Sequence, residues 1–242
     1  MAQNERFSLR TQSMSPAQAR AAEIDVGLRQ YMLKVYNFMA SGLALTGAVA
    51  YGMTLSETAM QLIFGTPLFW VVALAPLGFV FYLSSRMDRI QASTAQTLFW
   101  IFSALMGMSL ASIFIVYTGT SIARVFFITA GTFAGMSLYG YTTKRDLTGW
   151  GSFLFMGLIG IIIASLVNLF LQSSGLHFVI SVIGVLVFVG LTAYDTQKIK
   201  NLYSGTDSDE VRDKKAIMGA LRLYLDFINL FIMLLHLFGA RR

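Results

Sequence analysis

Trp150-Gly151-Ser152-Phe153-Leu154-Phe155-Met156-Gly157-Leu158-Ile159-Gly160-Ile161-Ile162-Ile163-Ala164-Ser165-Leu166-Val167-Asn168-Leu169-Phe170-Leu171 carries no charged side chain. As a helix it is long enough to cross roughly 30 Å of hydrocarbon. A run of this kind would aggregate on a soluble surface, and lipid is its natural solvent. Working outward, similar runs recur along the chain, each ended by a short polar or glycine-containing break. They predict membrane helices over 31–53, 68–85, 98–117, 122–142, 150–171, 176–199 and 216–239. The alternative is six spans plus a re-entrant segment.

Composition agrees with this reading. The 242 residues are 56% hydrophobic and only 12% charged, with a mean hydropathy of +0.65. Soluble domains hold about 25% charged residues, so this chain cannot clothe itself in polar surface. Cysteine is absent, which excludes disulfides, thiolate metal sites and cysteine nucleophiles. The expected organisation is a polar, cytoplasmic and partly amphipathic helical tail over 1–30, followed by a transmembrane domain over 31–242. The tail has no apolar core or small-residue cleavage site of a signal peptide, so the first span should itself direct insertion. Ser15-Pro16-Ala17-Gln18 has the order of a helix start, with serine as cap, proline in the first turn and glutamine placed for a capping box.

The net charge of +6 is a topology signal rather than a nucleic-acid footprint, because the bases lie in short loops beside apolar spans. Arg6, Arg10, Arg20, Arg29, Lys34, Arg86, Arg89, Lys144, Arg145, Lys198, Lys200, Arg212, Lys214 and Lys215 fall on one side of alternate loops. The other side holds Arg124, Arg241 and Arg242. The asymmetry places the N-terminus inside and the C-terminus outside. The terminal Arg241-Arg242 pair is the exception, and suits a last segment that does not cross completely.

Gly131 and Gly135, and Gly107 with Ala111, have the spacing that lets helices approach closely; packing within one chain is the expected use. The thirteen Met residues read as adaptable packing. Asn168 and Asn229 are expected to make interhelical hydrogen bonds. His177 and His236 are expected in packing or interfacial roles, and Glu57 as a solvated loop charge.

Charges inside apolar segments are the informative exceptions, since burial in hydrocarbon costs them several kcal/mol unless they are paired or hydrated. Asp195 stands toward the inner end of the sixth span and Asp226 about ten residues into the seventh. One loop joins these antiparallel neighbours, so the two carboxylates can meet. Both cannot ionise cheaply in one low-dielectric site, which makes the pair a candidate pH sensor or cation site. The competing reading is structural pairing with a base. Arg222 lies one turn before Asp226, Lys198 three residues after Asp195, and Arg86 ends the second span.

Three segments carry a family resemblance: Ala193-Tyr194-Asp195-Thr196-Gln197-Lys198-Ile199, Leu223-Tyr224-Leu225-Asp226-Phe227-Ile228-Asn229-Leu230-Phe231, and Tyr141-Thr142-Thr143-Lys144-Arg145-Asp146-Leu147. Together they resemble the Bax inhibitor-1 family, in a bacterial-type form, from Tyr31 onward. The resemblance implies an all-α, seven-helix membrane fold with a central last helix wrapped by the other six. It also implies a pH-regulated calcium leak in which Asp195 and Asp226 share a proton and Arg86 latches the closed state, Arg89 being the neighbouring alternative. Arg222 departs from this pattern, as a second base able to neutralise Asp226 locally.

The expectation is thus a calcium-permeable protein of a bacterial inner membrane, with no cofactor. Asp195 and Asp226 are the carboxylates expected to meet the ion, and Glu57 in the first outer loop could attract cations to an outer mouth. The alternative is a non-conducting regulator of other membrane proteins, such as a membrane-bound protease or stress machinery, that works through its polar tail. Enzymatic activity is not expected. Asp226 lacks the Gly-x-Gly-Asp setting of intramembrane aspartyl proteases, and the sequence holds no nucleotide loop or HExxH metal motif.

Overall fold

A computed structural model describes residues 16–87 and 89–242, with side chains from 25 onward. Ser15 and the side chain of Gln18, on which the predicted capping box depends, lie outside the described residues. Helix α1 is described over Pro16–Thr54, and 16–30 of the expected tail run without a break into the first span. Ser56 then caps a short helix α2, Glu57–Phe64, by accepting from the Ala59 amide. The remaining helices are α3 Leu68–Arg86, α4 Ala92–Leu110, α5 Ile113–Val116, α6 Gly119–Thr142, α7 Thr148–Leu171, α8 Ser174–Asn201 and α9 Asp209–Phe238. Six of these segments are long and apolar enough to cross a membrane, α4 and α5 counting as one. Helix α1 qualifies only together with α2, from which it is bent by 102°, giving a seventh.

The reason lies in what α1 touches. It packs against α4 and α9, and several of its polar residues, Lys34, Tyr36 and Thr46, bond to neighbouring helices, while Asn37 and Ser41 are exposed. Lys34 pairs with Asp213 at 2.5 Å. The Tyr36 and Ser137 hydroxyls are 2.6 Å apart, and Ser137 and Thr196 2.9 Å apart, which joins α1, α6 and α8. Thr46 donates to the Ser103 carbonyl at 2.8 Å. The Tyr224 hydroxyl 2.6 Å away must therefore donate to Thr46. These bonds replace water for hydroxyls buried inside a bilayer.

Helix α9 is the most buried of the candidate spans. Its extended contacts are with α8, α1, α6 and α4, while α7 leans on α8, and α3 on α4 and α2. Close approach is real at Gly107, whose missing side chain admits Thr46 and Val49 of α1, and at Gly140, which lies against the Ala193 backbone. Gly131 and Gly135 meet no neighbour, so this GxxxG faces outward and does not pack within the chain as expected. The asparagines also differ from expectation. Asn168 accepts from the Ser173 amide, closing the α7–α8 turn, and Asn229 donates to Leu225 in its own helix.

The two ends of the bundle are pinned differently. At the base-rich end, Glu210 accepts from the Ala92 amide, and Gln197 bonds both Arg145 and Leu147 of the α6–α7 loop. At the other, Thr118 donates to the Ala240 carbonyl and Ala240 to the Ser121 hydroxyl. The segment after α9 therefore reaches the far end despite its two arginines, and α9 runs the whole length of the bundle.

Candidate functional site

Helices α8 and α9 form an antiparallel hairpin in which Ile199 meets Gly219 and Gly184 meets Met233. That register brings Asp195 beside the turn of α9 that carries Arg222 and Asp226. The two carboxyl groups face one another across the α8–α9 interface and line the same cleft. Asp226 is buried, at 6% exposure. Its Oδ2 accepts no hydrogen bond from any described group.

Arg222 does not turn back onto Asp226 to pair with it. Its Nη1 lies 3.6 Å from Asp195 Oδ1, across the helix interface. Asp226 points into the core, whereas Asp195 and Arg222 sit nearer the open side, and a long guanidinium stem reaches outward more cheaply than inward. Lys198 lines the same cleft but forms no ion pair with Asp195, its ammonium lying 5.6 Å from the centre of the Tyr194 ring. Arg86 is exposed at the end of α3 and forms no ion pair among the described residues, and Arg89 is likewise exposed. The base facing Asp195 is therefore Arg222, in the place expected of Arg86.

The pair lies at the floor of a cleft of about 1000 Å³ between α3, α7, α8 and α9. The cleft exists because α3 and α7 have no extensive contact with each other. Its walls are apolar, with Leu77 and Phe81 on one side and Phe155 and Ile162 on the other. Asn229 adds an amide one turn from Asp226. Among the described residues no third carboxylate or histidine joins the pair. A calcium ion here would need carbonyl, amide and water oxygens beside Asp195 and Asp226.

Sequence reasoning missed some neighbours. The rings of His177 and His236 lie 4.5 Å apart near the opposite end, and the hydroxyl chain through Tyr36, Ser137 and Thr196 has no sequence signature. The hairpin register could have indicated the first, since it must bring the start of α8 to the end of α9.

A family model for inhibitor of apoptosis-promoting Bax1 matches residues 28–242. The chain belongs to the Bax inhibitor-1 family. Among its relatives, an uncharacterized protein of Rickettsia prowazekii is 55% identical over 218 residues, covering 90% of this chain and 92% of that protein. The inner membrane protein YbhL of Escherichia coli is 52% identical over 219 residues, covering 89% and 94%. An uncharacterized protein of Caulobacter vibrioides is 46% identical over 237 residues, covering 94% and 95%. Membership places Asp195 and Asp226 inside the matched region of a membrane-protein family.

Proposed function

We propose that this Bax inhibitor-1 family protein is a pH-regulated cation leak, with calcium as its ion, controlled by the carboxyl pair Asp195 and Asp226. The observation that carries the reading is the lining of one open cleft by both carboxyl groups, with Arg222 beside one of them. Charge balance gives the mechanism. One proton shared by two carboxylates leaves a single negative charge, which Arg222 offsets, and a neutral site tolerates burial. Loss of that proton leaves a net negative site that a cation can neutralise. Proton and cation thus compete for the same oxygens. The described conformation is read as closed, because Leu230, Leu234 and Leu235 of α9 are packed tightly beyond the pair.

The base-rich end is read as cytoplasmic and the membrane as a bacterial inner membrane. The loop bases support the first, and the name of the Escherichia coli relative supports the second. The carboxyls are read as handling protons and cations, not as catalysing a reaction.

Calcium entry into proteoliposomes loaded with a calcium dye, followed between about pH 6 and 8, tests this. Wild type is expected to exceed empty liposomes with a pH-dependent rate, and Asp195→Asn and Asp226→Asn to flatten that dependence. If no protein leaks above empty liposomes at any pH, the leak is wrong. The chain is then better read as a non-conducting partner of other membrane proteins.

A further inference from the structure

The chain has two histidines, and the fold puts them together. His177 stands in the first turn of α8 and His236 in the last turn of α9, with ring centres 4.5 Å apart and planes tilted by 50°. Both are half-buried. His177 Nε2 is buried and has no hydrogen-bond partner among the described residues. Two neutral rings can pack in this way. An imidazolium needs an acceptor or a counter-charge, and burying it without either is costly.

The surrounding elements offer no carboxylate. The end of α1 over 47–54, the end of α4 with α5 over 107–116, and the end of α7 over 165–172 carry no charged side chain. The first two turns of α6 bring Arg124, and Arg241 and Arg242 follow α9. Glu57 belongs to α2, whose extensive contacts are with α1 and α3. Neither ring forms an ion pair among the described residues. The charged side chains at this end of α8 and α9 are therefore bases, which oppose any proton the rings take up.

The two sides of the contact are held unequally. The end of α9 is tied down: Ala240 accepts from the Thr118 amide and donates to the Ser121 hydroxyl, and the Arg242 amide donates to the Val116 carbonyl. The start of α8 has only bonds within its own turn, from the Ser173 amide to Asn168 and from the Leu176 amide to Ser173. Ser174, Gly175, Phe178 and Val179 are exposed, and the first buried residue of α8 is Ile180. Leu176 and His177 are thus what the first turn of α8 packs inward. Beside His236 on α9 lie Leu234 and Leu235, both buried.

We infer that the contact between His177 and His236 is a proton-operated clasp, which when neutral holds the first turn of α8 on α9, and when protonated frees that turn and uncovers the Leu234–Leu235 end of α9. The freed segment ends at Ile180, so the α8–α9 interface around Asp195 and Asp226 stays intact. The clasp rests on neither ion flux nor the carboxyl pair, and stands or falls separately from the leak.

The test follows hydrogen exchange of the amides of residues 177–179 in the purified full chain in detergent. Exchange is measured from about pH 7.5 down to about pH 4, a range that brackets the ordinary imidazole value, and is corrected for the intrinsic pH dependence of amide exchange. A one-proton clasp loses protection by up to about tenfold per pH unit as its rings titrate. His177→Gln and His236→Gln keep a neutral polar side chain and should each remove that slope, while residues 184–192 stay protected in all three proteins. Should the variants fail to fold, wild type suffices. With two histidines in the chain, selective labelling gives two imidazole signals by nuclear magnetic resonance, and the first protonation should coincide with the loss of protection, the second following at lower pH. Protection that does not change with pH, a slope that persists in both variants, or two rings that titrate together near the ordinary value with the turn still protected overturns the clasp.

Discussion

Replacing Arg222 with Gln separates two accounts of control at the carboxyl pair. The guanidinium lies 3.6 Å from Asp195. Two unit charges at that distance attract by about 1 kcal/mol in water and about 5 kcal/mol at an effective dielectric of 20. Arg222 is 42% exposed, so the lower part of that range applies, about 1–2 kcal/mol, equivalent to roughly one pH unit. The sign follows from charge. A positive neighbour favours the ionised pair, so without it the shared proton is kept to higher pH. The midpoint of the pH response of calcium flux should therefore move upward by about one unit in Arg222→Gln, measured in proteoliposomes across about pH 6 to 8. Arg86→Gln should leave the midpoint unchanged, because Arg86 is exposed and forms no ion pair among the described residues. A shift in Arg86→Gln with none in Arg222→Gln would refute the assignment of the base, and would mean that α3 closes onto the pair in the working conformation.

Other outcomes follow from the same geometry. In this cysteine-free chain, Gly119→Cys should react with an impermeant thiol reagent from outside, and Gly205→Cys only after the membrane is opened; the reverse pattern overturns the orientation. Tyr224→Phe removes a buried hydroxyl that donates to Thr46 and should cost about 1 kcal/mol, read as a fall of a few degrees in the melting temperature in detergent. Gly140→Leu has no room against the Ala193 backbone and should unfold or strongly destabilise the protein, whereas Gly131→Leu, with no neighbour there, should melt within a degree or two of wild type.

The helical membrane fold was legible because hydrocarbon demands long uncharged runs, and α7 satisfies that demand almost by itself. The first span was legible only as a position. Lys34, Tyr36 and Thr46 lower its hydropathy, because α1 spends its polar groups on α4, α6 and α9. The carboxyl pair was also legible, since a single loop joins α8 and α9 and fixes them as antiparallel neighbours. Its base was not. Spacing along one helix put Arg222 on Asp226, but a partner across an interface depends on which side chain points outward, and only the packed helices decide that. Arg86 shows the same limit from the other direction. It stands at the expected end of α3, but α3 leans on α4 and α2 and holds it away from the pair.

The packing also restricts how the site can change state. Asp195 and Asp226 sit on the two helices that share the most extensive interface in the protein. Around them Leu221, Leu223, Tyr224 and Leu230 are almost wholly buried. Within a bilayer such packing is the main force holding helices together, and opening it leaves voids that cost several kcal/mol for each large side chain. Separating the two carboxyls by moving α8 from α9 is therefore the expensive route. Exchanging a proton for a cation between them changes charge without breaking that interface. Helices α3 and α7 flank the pair and are far less buried, so movement that accompanies the exchange should fall on them. The conserved cost is then electrostatic at the floor of the cleft and mechanical only at its walls, which is why the Arg222 substitution tests the site without dismantling the bundle.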